Sequence, residues 1–192
     1  MGELWKDSMI LYDRETWTRW SQMTGEAKTG PLHGKKLRPI PSALTDWGGW
    51  RQEHPDGTVV VLAHTEREFD RTFYEPLKGF VLGIAAGGQA RAWGFDALSQ
   101  TPAVNDEWQG QPVVACFDRV RVTARLYRRT LPSRVLTFRT AGEKILDEQT
   151  GSTWQPATGR AIAGPLAGQH LEPLPAMVSY RHAWLKFHPN SN

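Results

Sequence analysis

The chain has 192 residues, of which 40% are hydrophobic and 22% are charged, and its formal net charge is +3. This composition is typical of a soluble globular protein with one domain or two small lobes, although nine tryptophans make the chain tryptophan-rich. The single cysteine, Cys116, excludes an intrachain disulfide and a cysteine-rich zinc site. No apolar run reaches membrane-spanning length and the first residues do not form a signal peptide, so we expect a cytoplasmic protein without a membrane partner.

An internal duplication with an offset of 134 residues organises the sequence. The segment Gly30–Pro41 returns as Gly164–Pro175, and identical residues flank both copies without a gap. These flanking pairs are Asp13 and Asp147, Thr16 and Thr150, Trp20 and Trp154, Trp50 and Trp184, and His54 and His188. Self-similarity at a fixed period indicates copies of one structural unit. We therefore divide the chain into a partial first repeat (residues 1–57), a connector (58–78) and a complete second repeat (79–192).

The first repeat begins with a predicted strand, Ser8–Tyr12, followed by a turn that Asp13 opens. In the second repeat this turn ends at Gly151, a residue that accepts positive φ, whereas the first repeat has Trp17 there. We therefore predict a rebuilt turn with negative φ at Trp17. The proline-containing segment that follows suits an irregular or edge strand, and Ser42 is the expected N-cap of a short helix that ends before Pro55.

The second repeat is predicted to be an antiparallel meander. Turn signals recur every 8–12 residues or so, which is typical of an all-β sheet, and Gly87-Gly88 predicts a two-residue hairpin. A second helix is expected near residues 178–188. The fold class is therefore mainly β, or β-rich α+β: an antiparallel meander or partial barrel with two short helices and an internal duplication.

Six polar residues are candidates for a catalytic or binding site, and each also has a structural explanation. They are Asn105, Asp106, Asp13, Asp147, His54 and His188. An aspartate that opens a turn explains the repeated Asp, and a side chain at a helix C-terminus that interacts with the last carbonyls explains the repeated His. No histidine or acid has recognisable metal-ligand spacing, so we predict neither a metal nor a cofactor.

An arginine-rich segment suggests a second kind of site. Arg119, Arg121, Arg125 and Arg129 alternate with apolar residues, and strand periodicity would place the four guanidinium groups on one face. Such a face suits a nucleic-acid backbone, another anion or an acidic partner, so anion or nucleic-acid binding is an alternative function. The alternative is a solvated face whose acids come from neighbouring strands, and the small net charge argues against nucleic acid.

Several segments together resemble a known family. Tyr12–Thr16, Val104–Asp106, Asp147–Trp154 and Gly159–Gly168 with Leu171–Pro175 are similar to the domain of unknown function 3179. The resemblance implies a prokaryotic protein, one of a family whose members are often exported, and no established activity. It also implies a Cys-Pro-Leu-Cys motif in the front half of the first repeat, a segment that we expect this sequence to lack. The matching second-repeat positions are Asp118 and Arg121.

The expected loss of that front half leads to a prediction about partners. Without its strands, the Ser8–Tyr12 strand and the apolar sides of Trp5, Trp20 and Trp50 lose their cover, and exposed edges and apolar patches recruit other chains. We therefore expect self-association, or a partner chain that covers the first repeat. The functional prediction is a non-catalytic binding or structural module, with an enzyme or a redox or metal accessory acting at the junction of the repeats as the alternative.

Overall fold

The computed structural model describes residues 3–60 and 76–191. Antiparallel strands dominate this part of the chain, together with three short helices, and none of its sheets closes into a barrel. The predicted mainly β class is confirmed. The predicted connector falls largely on residues 61–75, which lie outside the described residues.

The first repeat forms a four-stranded antiparallel meander followed by one helix. Short turns join neighbouring strands, so the order in the sheet is the order in the chain. The elements are β1 (Glu3–Trp5), β2 (Ser8–Tyr12), β3 (Arg19–Ser21), β4 (Ala27–Thr29) and α1 (Trp47–Glu53). The N-cap of α1 is Asp46, whose side chain accepts a hydrogen bond from the Gly49 N–H, so the expectation of Ser42 as N-cap is wrong.

A 3-10 turn at Leu77–Gly79 leads from the predicted connector into the predicted second repeat, which starts with a tight hairpin. Its first six elements are β5 (Phe80–Ala86), β6 (Gln89–Gly94), α2 (Phe95–Gln100), β7 (Ala103–Trp108), β8 (Gln111–Asp118) and β9 (Thr123–Arg128). Ala86 pairs with Gln89 across Gly87-Gly88, so the predicted two-residue hairpin is confirmed.

A second meander and a helix complete the chain. The elements are β10 (Thr130–Leu131), β11 (Arg134–Val135), β12 (Phe138–Ala141), β13 (Lys144–Asp147), β14 (Thr153–Gln155), β15 (Arg160–Ala163), β16 (Glu172–Pro173), β17 (Met177–Tyr180) and α3 (Arg181–Phe187). Strands β12 to β15 form one sheet in chain order, whereas β16 joins β9 and β17 joins β5. The last two pairings attach the proline-containing segment to both earlier sheets.

Strand β8 lies at the centre of the core and is buried on both faces. Val113, Ala115 and Phe117 pack with β5, β6 and α2, whereas the alternate residues Val114 and Cys116 pack with the β12–β15 sheet. Because successive side chains of a strand point to opposite faces, one strand supplies two apolar clusters. The continuous apolar run of β8 is the sequence pattern expected of such a strand.

Segments that match in sequence between the predicted first and second repeats make the same backbone contacts. Leu11 pairs with Trp20 as Ile145 pairs with Trp154, and the same irregularity follows in β3 and β14. The bridge between Glu26 and Lys36 has its counterpart between Arg160 and His170. Helices α1 and α3 also begin and end at corresponding residues.

Trp17 corrects one prediction. Its φ is 58°, close to the 70° of Gly151, and the Trp17 N–H donates to the Asp13 carbonyl as the Gly151 N–H donates to the Asp147 carbonyl. The expected rebuilt turn with negative φ is therefore wrong. The Trp17 ring stacks on Tyr12 with a centroid distance of 5.2 Å, a contact that offsets part of the cost of the left-handed conformation.

Candidate functional site

The repeated aspartate is the centre of a hydrogen-bonded turn in each repeat. Asp13 accepts hydrogen bonds from the Thr16 backbone N–H at 2.6 Å, from the Thr16 hydroxyl at 2.8–2.9 Å and from Trp20 Nε1 at 2.9 Å. Asp147 accepts the same three donors from Thr150 and Trp154, at 2.6, 2.9–3.0 and 2.9 Å. Every one of these donors belongs either to the turn that the aspartate opens or to the strand that follows this turn.

The two turns differ in their exposure to water. Asp147 is fully buried, whereas Asp13 is half-exposed. The indole N–H of Trp20, followed by the backbone N–H of Thr16, lowers the pKa of Asp13 to about 2. A carboxylate with so low a pKa is a poor proton acceptor at neutral pH. The geometry therefore gives these aspartates a positioning role in the turn, and a catalytic role stays a prediction.

A third side chain, Thr18 or Ser152, connects each turn to a Gly-Pro-Leu loop, which begins at Gly30 or Gly164. The Thr18 hydroxyl accepts a hydrogen bond from the Leu32 N–H at 3.2 Å, and Ser152 accepts one from Leu166 at 2.9 Å. Gly164 lies so close to Ser152 that a Cβ at this glycine would lie 2.7 Å from the Ser152 Cα. The spacing between this side chain and the glycine, which is the same in both segments, thus has a packing reason.

His54 and His188 lie just beyond the ends of α1 and α3, where their rings pack on tryptophans. The His54 and Trp50 centroids are 4.0 Å apart, and those of His188 and Trp184 are 4.4 Å apart. Burial, with smaller effects of Lys36 and Lys6, lowers the pKa of His188. This shift disfavours the charged form of His188, and an interaction of the His54 and His188 side chains with the last helix carbonyls stays a prediction.

Asn105 and Asp106 are successive residues of β7, and their side chains form hydrogen bonds with different neighbouring residues. The Asn105 amide donates to the Phe138 carbonyl at 2.7 Å and accepts from the Phe138 N–H at 2.8 Å, which ties β7 to β12. Asp106 accepts from Arg91 at 2.7 and 3.0 Å and from Trp93 Nε1 at 3.0 Å. Because successive strand residues point to opposite faces, these two side chains do not combine into one site.

The segment that carries the four arginines does not form the single uninterrupted strand that its periodicity predicted. Asp118 Oδ1 accepts from the Val120 and Arg121 N–H groups at 2.9 and 3.0 Å, so residues 119–122 form a turn and β9 begins at Thr123. Arg119 and Arg121 therefore lie in this turn. The physical reason is that a side-chain acceptor at Asp118 stabilises a turn in competition with strand pairing.

Two of the four arginines anchor α1. Arg121 Nη1 lies 3.1 Å from Asp118 and its Nε lies 3.6 Å from Asp46, while Arg125 Nη1 lies 3.3 Å from Glu53. Arg119 and Arg129 donate to backbone carbonyls of Ser99, Gln100 and Leu136. Acids therefore neutralise two of the four arginines, although Asp46 and Glu53 come from α1 and its N-cap and not from neighbouring strands. Anion binding by the four arginines stays a prediction.

The helix α1 fits the arginines because it carries a glycine at the contact. Gly49 is the buried residue of α1, and a Cβ at this position would collide with the Arg121 side chain. The Thr123 hydroxyl also donates to the Leu44 carbonyl at 2.6 Å. The sequence analysis did not predict that α1 packs on these arginines. Two acids, Asp46 and Glu53, at the two ends of a helix that contains two adjacent glycines could have indicated it.

Cys116 has the environment of an inert thiol. It is buried in the second apolar cluster, and burial raises its pKa to about 12. A thiol that remains protonated is a weak nucleophile and a weak metal ligand. Across residues 3–60 and 76–191, no three or more His, Cys, Asp or Glu residues come together as a candidate metal site.

Apolar residues on and beside the β1–β4 sheet are more exposed than the residues that match them in the second part of the chain. Leu11 and Leu37 are 48% and 54% exposed, whereas their counterparts Ile145 and Leu171 are each 3% exposed. Trp20 is half-buried, although Trp154 is buried. We call Leu11, Trp20 and Leu37 the open face of the first repeat.

Comparison with known proteins gives the family of the chain. The sequence model of a family described as "Protein of unknown function (DUF3179)" matches residues 1–191. The chain belongs to this family. No curated protein and no solved structure matches it.

Membership in DUF3179 supports the resemblance seen in the sequence and carries no established activity with it. In the described part of this DUF3179 chain, no helix has the length and apolar character needed to cross a membrane. The function must therefore be argued from the surfaces of the molecule.

Proposed function

We infer that the two similar parts of this chain are copies of one unit, and we propose that the protein is a non-catalytic binding module whose first repeat docks another polypeptide. The observation that carries the proposal is the open face of the first repeat. At corresponding positions, with the same strand pairing, Leu11 and Leu37 are exposed where Ile145 and Leu171 are buried.

The second repeat indicates what kind of surface fits the open face. Ile145, Trp154 and Leu171 belong to one apolar cluster with residues of the β7–β9 sheet, namely Ala103, Val114, Cys116 and Tyr127. Burying a leucine side chain contributes about 1.5–3 kcal/mol, so covering Leu11 and Leu37 is a substantial driving force for association. The occupant that we propose is an apolar sheet face of another polypeptide, either a second copy of this chain or a different protein.

The hydrogen bonds of the candidate polar residues support a non-catalytic function. Asp13, Asp147, Asn105 and Asp106 each use their side-chain oxygens in hydrogen bonds that hold turns or strands together. A catalytic group needs access to a substrate proton, whereas these groups are occupied by backbone, hydroxyl, indole and guanidinium donors of neighbouring residues.

Light scattering combined with hydrogen exchange tests the proposal. If two copies associate through the open face, the chain forms a dimer that Leu11→Asp and Leu37→Asp dissociate, because a charge in an apolar interface is costly. Ile162→Asp is the matched control, since Ile162 is 57% exposed on the second repeat and outside the open face. It should leave the dimer intact.

A different partner predicts another pattern. The chain alone is then monomeric, and the amides of Leu11 and Trp20 exchange much faster than those of Ile145 and Trp154 because the first sheet lacks its cover. A monomer in which both sets of amides exchange equally slowly would mean that the first sheet needs no cover, and the proposal would be wrong.

A further inference from the structure

A cleft of about 820 Å³ lies between the two repeats, distinct from the open face. One wall consists of α1 residues and the segment around Ser42, and the other consists of residues around Arg160 and His170. Arg125 and Leu126 of β9 also line it. Pockets that hold small organic ligands have volumes of about 300–1,000 Å³, so this cleft has a suitable size.

The cleft combines an apolar part with an excess of basic side chains. Trp50, Leu126, Leu171 and Leu174 supply apolar surface. Its ionisable lining residues are Arg125, Arg160, His54, His170 and the single acid Glu53. Glu53 already pairs with Arg125 at 3.3 Å, so the remaining groups favour a negative charge.

Arg160 and His170 form the centre of this basic excess. They face each other in an isolated antiparallel bridge, which places their side chains next to each other on one face. Both are exposed, and no acid of residues 3–60 or 76–191 forms an ion pair with either. The neighbouring Glu172 pairs with Arg128 at 2.9 Å instead.

The first repeat provides an internal comparison for this pair. At the corresponding bridge it has Glu26 opposite Lys36, and Glu26 also binds Lys28 at 2.6 Å. That bridge therefore contains its own acid. The second repeat has two nitrogen donors at the same place, and these two donors line the cleft.

We propose that the cleft binds a small organic anion, with its carboxylate between Arg160 and His170 and its apolar body against Trp50 and Leu174. A guanidinium and an imidazole can both donate to a carboxylate, and hydrogen bonds to a charged group are stronger than neutral ones. The apolar lining gives the affinity for the body of the ligand. No covalent step is involved.

Two probes of equal shape test the charge requirement. Calorimetry with 2-naphthoate should show one saturable site per chain, and the neutral 2-naphthamide should bind about tenfold more weakly because it lacks the carboxylate. Arg160→Gln and His170→Gln should each weaken 2-naphthoate binding by about fivefold and leave 2-naphthamide binding unchanged. Both side chains are exposed, so these changes do not disturb the core.

Arg139→Gln is the control for loss of one exposed positive charge outside the cleft, and it should leave both probes unaffected. Leu11→Asp should also leave 2-naphthoate binding unchanged, which separates this proposal from docking at the open face. Equal affinities for the two probes, or a 2-naphthoate affinity that is the same in the wild type, Arg160→Gln and His170→Gln, would overturn the proposal.

Discussion

Replacement of Asp147 by alanine should destabilise the protein strongly. Asp147 is fully buried and accepts from the Thr150 N–H, the Thr150 hydroxyl and the indole N–H of Trp154. A hydrogen bond to a charged group contributes about 1.5–3 kcal/mol, and a buried donor left without an acceptor costs about 1–3 kcal/mol. Because contributions within one network are not additive, we expect a total loss of about 3–5 kcal/mol in the free energy of unfolding.

Urea denaturation followed by circular dichroism measures this loss, provided that the slope of the free energy against urea stays constant. Asp147→Asn keeps the shape and one acceptor, so its effect should be smaller than that of alanine. Asp13→Ala removes the same contacts from a half-exposed turn, where water can replace the carboxylate, and should have a smaller effect than Asp147→Ala.

Glu148→Ala, at the exposed neighbouring position, serves as the control and should change stability by less than about 0.5 kcal/mol. If Asp147→Ala costs less than about 1 kcal/mol, the network contributes little and the positioning role is wrong. Equal losses for Asp147→Ala and Asp13→Ala would show that burial does not determine the strength of the network.

Two further predictions concern the turn of the first repeat. The Trp17→Gly variant should be more stable than Trp17→Ala by about 1 kcal/mol, because both variants lose the stack on Tyr12 but only glycine accepts φ near 58° without strain. Equal stabilities of the two variants in thermal unfolding would contradict a left-handed conformation at residue 17. The carboxyl group of Asp13 should titrate near pH 2 by NMR, and Trp20→Phe should raise its pKa because the indole donor is the main cause of the shift. Since the folded-state pKa of Asp13 lies below the usual 3.8, the stability that the ionised Asp13 contributes is present above about pH 4 and is lost as the pH falls towards 2. An Asp13 pKa that is the same in Trp20→Phe would show that the indole hydrogen bond does not cause the shift.

The local pattern was sufficient to predict the strand β2, with its bounds Ser8–Tyr12, and the hairpin at Gly87-Gly88. The continuous apolar run of β8 and the Gly87-Gly88 pair belong to elements whose geometry depends on near neighbours in the chain. The aspartate turns were also predictable, since Asp13 and Asp147 bind donors only three and seven residues away. Their shared geometry follows from local hydrogen bonds.

The candidate sites depend on contacts that no local pattern contains. The alternation around Arg121 and Arg125 predicted a free face, but Asp46 and Glu53, far away in the sequence, pair with these arginines. The hydrogen bonds of Asp118 that begin the turn compete with strand pairing, and propensity alone does not decide between them. Trp17 keeps its turn because the surrounding hydrogen bonds override its own conformational preference.

The anchoring of α1 affects the order in which the protein is assembled during synthesis. The hydrogen bonds that hold α1 and the segment before it join residues 69–79 positions apart, from Gln52 to Arg121, from Glu53 to Arg125 and from Leu44 to Thr123. At a synthesis rate of about 5–20 residues per second, β9 follows α1 by several seconds. The acids at α1 are therefore synthesised before the arginines that bind them. Helix α1 can pack on Arg121 and Arg125 only after β9 has been synthesised.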